Sequence, residues 1–372
     1  MRRNYLILFL TFLSVNFFLL MTNLSPQDLV AKYEKIRKPV DTVGFATKSN
    51  QMDEFMNTLN SMQGMDLQKS LTDAKIDNTT IWKAVISPHD DYTYVGYLYP
   101  ALLSEVKAKT IILFGVCHVA KKFGVENKII FDSFSHWSEP YGNVPVSKIR
   151  GQIIEKLPQD LFLINDSVQS AEHSVEAIIP FLQYYNRDIE IVSILVPYMP
   201  FDRMNEISEP LAKVIKEVTE KNNMKWGNDF SIIISTDAVH YGDKDWGDKN
   251  YAYFGADENG YKLAVEYEYE IINNCLTGNI SKDKIKQFVN YTVSKEDYKD
   301  YIWTWCGRYS VPFGLLTVFN LENYFNQNLN GTLVKYATSL DHPHIPVKDI
   351  SMGETAPANI NHWVGYAAIG YK

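Results

Sequence analysis

Three short apolar runs, at residues 83–87, 110–116 and 230–235, each stop at a polar cluster that carries a histidine. The clusters read Ser87-Pro88-His89-Asp90-Asp91-Tyr92, Gly115-Val116-Cys117-His118 and Ser235-Thr236-Asp237-Ala238-Val239-His240. A run this short without polar alternation reads as a strand buried on both faces. Helix-like segments intervene at 97–108, 147–157, 174–185, 204–221, 258–276, 281–290 and 311–324, and residues 48–80 read as a polar, helix-prone lead-in. Further strands are expected at 190–196, 332–336 and 363–368. Strands alternating with helices predict an α/β chain, a central and largely parallel or mixed sheet covered on both faces. In such sheets ligands bind beyond the carboxyl ends of the strands. One histidine at a strand end is ordinarily a satisfied loop residue. Three at equivalent ends are brought together by the topology, and point to a site.

The amino terminus stands apart. Arg2 and Arg3 precede an apolar run from Tyr5 to Met21, and no charge falls between Arg3 and Asp28. Residues 1–24 read as a signal peptide or an N-terminal membrane anchor, since the run approaches the ~17–25 residues that span a bilayer. The expectation is an exported or anchored protein whose body lies outside the cytoplasm and touches membrane only through this segment. No Pro/Gly/Ser linker divides the remainder, so 35–372 is expected to form a single domain. The chain carries 36 Lys+Arg against 44 Asp+Glu, a formal charge of −8, without a basic stripe. That balance argues against nucleic acid as a partner. A small-molecule or peptide ligand remains. Three cysteines make no disulfide framework. The sequence has no G-x-S-x-G, no Walker loop, no G-x-G-x-x-G and no H-E-x-x-H.

Other polar residues have two readings each. Glu172-His173-Ser174-Val175-Glu176 reads as a helix start with Ser174 as cap, or as a segment that sends His173 or Glu176 toward the pocket. Cys306, beside Arg308, reads by itself as a buried structural cysteine. Cys275 reads as core. His342 and His344 read as loop histidines and His136 as structural.

In order along the chain, these segments resemble the MEMO family, also called AmmeMemoRadiSam system protein B. Pro88-His89-Asp90-Asp91-Tyr92-Thr93-Tyr94-Val95-Gly96 looks like P-H-A-G-Y-x-Y-S-G, and Phe114-Gly115-Val116-Cys117-His118 like L-G-P-S-H. Trp137-Ser138-Glu139-Pro140-Tyr141-Gly142 is similar to W-x-T-P-L-G. Glu172-His173-Ser174-Val175-Glu176 is similar to E-H-S-I-E, and residues 235–242 to S-S-D-x-x-H-Y-G. Cys306-Gly307-Arg308 resembles C-G-R-H. The resemblance implies a three-layer α/β/α fold like that of class III extradiol dioxygenases. It also implies His89, His118 and Cys306 as metal ligands, with the candidate catalytic residues Asp237 and His240 in the same vestibule, as an acid-base pair or as partners that orient the ligands. Asp90, Asp91, Tyr92, Cys117, His173, Glu176 and Arg308 are then pocket or supporting residues. The implied cofactor is a divalent metal, Fe(II) or copper, with zinc as a further candidate because a thiolate is a soft ligand. Asp90-Asp91 replaces Ala-Gly, Val116-Cys117 replaces Pro-Ser, and Tyr309-Ser310 replaces His-Pro in the family pattern. Two functions follow: a metal-dependent, dioxygenase-like oxidoreductase, or a non-catalytic metal- or peptide-binding protein.

Overall fold

The structure, a computed structural model, describes residues 34–372 except Asp248. The apolar run at 5–21 and the signal or anchor expected there lie outside the described residues. Among the described residues, no helix is long and apolar enough to cross a membrane.

The strands are β1 (Ile36–Arg37), β2 (Ala84–Ser87), β3 (Thr110–Val116), β4 (Ile129–Phe131), β5 (His136–Glu139), β6 (Gly142–Pro145) and β7 (Phe162–Ile164). They continue as β8 (Glu190–Val196), β9 (Phe230–Ser235), β10 (His240–Gly242), β11 (Gly278–Asn279), β12 (Asn330–Thr338) and β13 (His362–Tyr371). The main sheet has the order β11-β12-β13-β2-β9-β3-β8-β4-β7, with β10 paired to β13. Its centre, β2-β9-β3-β8, is parallel, and antiparallel pairs flank it on both sides. The sheet is therefore mixed. A small second sheet joins β1, β5 and β6.

Alternate residues of the central strands feed opposite cores, as the two-residue period of a strand requires. Ala84, Ile86, Ile112, Phe114, Ile232 and Ile234 pack into one core. The helices Phe201–Lys221 and Ser310–Phe325 supply Ile207, Leu211, Phe313 and Leu316 to it. Val85, Ile111, Leu113 and Ile233 pack into the other. There the helices Ser49–Asp73, Leu98–Leu103 and Ile179–Tyr185 bring Phe55, Leu102 and Phe181. Helices thus cover both faces, and the chain is a three-layer α/β/α structure.

Local departures from the expected elements have physical causes. The helix expected from Ser174 starts at Ile179, with Pro180 in its first turn, where a missing N–H costs nothing. Ser174 does not cap it, because its hydroxyl donates to the Val116 carbonyl (2.8 Å). The lead-in is one helix, Ser49–Asp73. The segment at 97–108 is helical only over Leu98–Leu103, and the helix from Glu258 gives way at Ile271 to a π-turn. The short strands β4 to β7 and β10 carry too few residues to show a period in the sequence.

Candidate metal centre

The neighbouring parallel strands β2, β9 and β3 end on one edge of the sheet. Ser87 lies opposite Ser235, and Ile234 lies between Ile86 and Phe114. His89, His118 and Asp237 each follow one of these ends within a few residues, so the register brings them together. His240 lies on β10, opposite Val364 of β13. Cys306 arrives from the segment before the Ser310–Phe325 helix. Gly307 allows that approach, because a Cβ there would lie 2.2 Å from Thr236 Oγ1. The Ser310 hydroxyl, donating to the Ser235 carbonyl (2.9 Å), fastens the segment to β9.

Two groups of donor atoms result, and His89 belongs to both. One is His89, His118 and His173; the other is His89, Asp237 and Cys306. His89 Nε2 is 3.5 Å from Cys306 Sγ and 3.4 Å from Asp237 Oδ2. The His118 and His173 rings stack at 4.9 Å between centroids, and His89 meets the His118 ring edge-on at 5.3 Å. His173 thus stands beside the ligands implied by the family pattern, in the cavity, as the second reading of its segment expected, while Glu176 does not line that cavity.

The partners of the two histidines suit metal ligation. The Ser235 hydroxyl donates to the Ser174 carbonyl, so it accepts the proton of His89 Nδ1 (2.7 Å). The His89 Nε2 lone pair is thereby turned toward Cys306. Burial, with the nearby His118, His173 and His240, holds His89 well below the ordinary imidazole pKa, so it is neutral and able to coordinate. His118 Nδ1 faces Glu172 Oε1 at 2.9 Å. Burial opposes charge on His118, but the Glu172 carboxylate and Cys306 outweigh it and push its pKa up to about 10. The side chain is 32% exposed, so solvent screens part of that effect. Cys306 Sγ accepts the Asp237 N–H (3.0 Å), an interaction that favours a thiolate, while burial and the Asp237 charge push the thiol up. A dication beside the sulfur reverses that balance. Two imidazoles with oriented Nε2 atoms and one sulfur form a donor set that fits a divalent metal.

The histidines border a cavity of about 250 Å³ lined by His89, Asp90, Asp91, His118, His173, Asp237 and His240, with Trp246, Thr355 and His362. Burial pushes the Asp237 carboxyl up to about 7, against the His89 N–H (2.9 Å) that it accepts. Burial likewise lowers His240 to about 3, helped by His118, and its Nε2 has no partner among the described residues. A poised acid and a neutral imidazole therefore face the same space. Asp90 accepts the Tyr366 hydroxyl (2.7 Å), and Asp91 accepts the Thr355 hydroxyl and N–H. Burial raises both carboxyls. His362, not singled out from sequence, stacks on Trp246 at 3.8 Å; a lone Asn-His-Trp at a strand start carries no signal.

The remaining sequence candidates lie around this cavity rather than on it. Tyr92 is buried among Phe45, Phe55, Tyr99 and Phe181, its hydroxyl on the Ala177 carbonyl. Glu176 pairs with Arg37 (2.5 Å) and accepts the N–H groups of Val40 and Asp41. Cys117 and Arg308 line a smaller pocket with His118 and Cys306. All three cysteines are free. His342 and His344 bond through Nε2 to the Tyr94 and Ser339 carbonyls, and His136 sits on β5 near Glu34.

Glu172 is the clearest test of His118. Its carboxylate also accepts the N–H groups of His118, His173 and Ser174. Glu172→Gln is expected to weaken divalent-metal affinity ~10–100-fold, the usual cost of losing such an orienting partner. The loss should be largest near about pH 9 and smaller near about pH 6, because the same carboxylate retains a competing proton on His118. Chelator competition across that range measures it, and an unchanged affinity throughout would remove His118 from the ligand set.

Known proteins match this chain in part. A MEMO1 family protein of Pyrobaculum aerophilum is 28% identical over 164 residues, covering 42% of this chain and 52% of the relative. The Pyrobaculum arsenaticum MEMO1 family protein is 30% identical over 162 residues, 42% and 52% of the two chains. The Thermococcus kodakarensis one is 26% identical over 205 residues, 52% and 64%. The chain thus matches about half the length of the first two of these relatives. The family model for Memo-like proteins extends the match across residues 50–354. That span runs from the first long helix past every strand-end histidine and Cys306, and on it the chain belongs to the Memo-like protein family.

Proposed function

We propose that this chain binds one divalent metal ion through His89, His118 and Cys306, and works on a small organic ligand in the adjoining cavity as a metal-dependent oxidoreductase. The observation that carries this reading is the convergence of oriented imidazoles on a cavity of about 250 Å³ that also holds Asp237 and His240, with the Cys306 sulfur 3.5 Å from His89 Nε2 beside it. Two histidines with one anionic ligand leave positions open, the pattern of non-haem Fe(II) oxygenases, with a thiolate here in place of the carboxylate. Fe(II) or copper, when bound, supplies Lewis acidity and a one-electron couple. Asp237 holds or releases a proton near neutrality, and His240 accepts one at Nε2. Trp246 and Thr355 also line the cavity. The expected result is oxygen uptake with a catechol by iron- or copper-loaded protein purified without oxygen. Asp237→Asn should abolish uptake while metal stays bound. Full occupancy with no uptake for either metal would overturn the oxidoreductase reading.

A non-catalytic metal-binding protein is the second reading. His173 and Asp237 lie within reach of the same centre, so protein donors suffice to close a four-coordinate shell, the arrangement of structural zinc sites.

A further inference from the structure

Arg308 is only 4% exposed, yet no carboxylate lies within ion-pair distance of it among the described residues. Its single hydrogen bond there runs from Nη2 to the Lys299 carbonyl (2.9 Å), and Nε is buried without a partner. Aromatic faces surround the guanidinium: Tyr301 at 3.4 Å and Tyr309 at 4.7 Å from its centre. The other deeply buried arginine is a useful contrast. Arg37 pairs with Glu176 and donates to the carbonyls of Gln169 and Glu172. Burying a cation is costly unless an anion and hydrogen bonds accompany it, and aromatic rings replace only part of that. Arg308 also lines a pocket of about 120 Å³, with Cys117, His118, Tyr301, Cys306 and Tyr309, and no acidic side chain lines that pocket.

We infer that this pocket is an anion site in which Arg308 binds a small carboxylate, either a free one or the carboxylate end of a larger ligand. The volume holds roughly four waters at ~30 Å³ each, enough for formate or acetate and too little for a large acid to enter whole. A planar guanidinium suits a carboxylate's two oxygens better than a halide. The pocket meets the cavity of about 250 Å³ at His118, which lines both. The inference stands whether or not the chain turns anything over.

Titration calorimetry with formate, acetate, benzoate, phosphate and chloride at matched ionic strength tests it on the full protein. Saturable binding of formate and acetate at one site is expected, with chloride, which offers no pair of oxygens, weaker by at least about tenfold; phosphate binding tighter than acetate would overturn the carboxylate assignment. Benzoate binding as well as acetate would assign the site to the end of a larger ligand; benzoate exclusion would assign it to a free small anion. Arg308→Gln should abolish binding. Arg308→Lys, which keeps the charge and so protects the fold, should weaken it about tenfold or more. His89→Ala, which depletes the metal site, should leave it intact. Absence of saturable carboxylate binding, equal binding by Arg308→Gln, or equal binding by Arg308→Lys should Gln not fold, would overturn the inference. Loss of binding in His89→Ala with Arg308 intact would also overturn it, by placing the anion on the metal.

Discussion

His89→Ala and Cys306→Ser are each expected to empty most of the metal site while the fold survives. Removing an outer partner typically costs ~10–100-fold in affinity, and removing a ligand itself should cost more. His89→Ala strands no buried partner, since the Ser235 hydroxyl still donates to the Ser174 carbonyl. His342→Ala and His344→Ala serve as controls and should leave occupancy unchanged, because both Nε2 atoms are already bonded to backbone carbonyls. Metal content per chain, measured on protein purified without oxygen, is the readout. Unchanged occupancy in both ligand variants, or loss confined to the controls, would place the site elsewhere. The pH dependence carries a sign. His89 is held well below the usual imidazole pKa and does not compete with metal at neutral pH. His118 is pushed up, so a proton must leave it when metal binds. The Cys306 thiol is raised as well and gives up its proton to become a ligand, so affinity should fall by up to about a hundredfold per pH unit on acidification through the neutral range.

Arg37→Ala is expected to lose about 3–5 kcal/mol of stability, the cost of breaking a buried ion pair from one side. Arg37 is 2% exposed, pairs with Glu176 at 2.5 Å and lies 4.0 Å from the centre of the Trp137 ring. Its guanidinium also donates to the carbonyls of Gln169 and Glu172, which ties β1 to the segment that orients His118. Burial already raises the Glu176 carboxyl despite Arg37. Without the guanidinium it rises further. A carboxyl whose folded pKa lies above its unfolded value weakens the fold above the unfolded pKa, and that penalty fades as pH falls toward it. The deficit of Arg37→Ala should thus be largest near pH ~7 and shrink toward pH ~4.5. Urea unfolding at both values checks this, and a loss below about 1 kcal/mol at neutral pH would show that the pair contributes little.

Much of the fold was legible because its centre is built from locally unambiguous pieces. Residues 110–116 and 230–235 have no polar face to expose, and they form the β3 and β9 strands within the expected bounds. The helix Phe201–Lys221 shows its apolar stripe openly, with Met204, Ile207, Leu211, Ile215 and Val218 buried. Strands of three or four residues such as β4 and β5 escaped notice. They are held by partners far away in sequence, as Ile130 is by Leu195 and Trp137 by Arg37.

The candidate site divides in the same way. The sequence by itself determined that His89, His118 and Asp237 stand at the carboxyl ends of buried parallel strands. Adjacent parallel strands share one edge, so local pattern and topology were sufficient. The resemblance to C-G-R-H put Cys306 with them, but what carries it there is tertiary, since its approach depends on Gly307 against Thr236 and on Ser310 fastened to Ser235. The tertiary structure also turned His173 onto His118, through the Glu172 carboxylate, which accepts the N–H groups of His173 and Ser174 in its own turn and that of His118 from the β3 end. It alone left Arg308 buried without a counter-charge among the described residues. A strand end is a property of nearest neighbours along the chain. A donor set, a tautomer and an unpaired charge depend on what distant segments place within a few ångströms, and no local period encodes that.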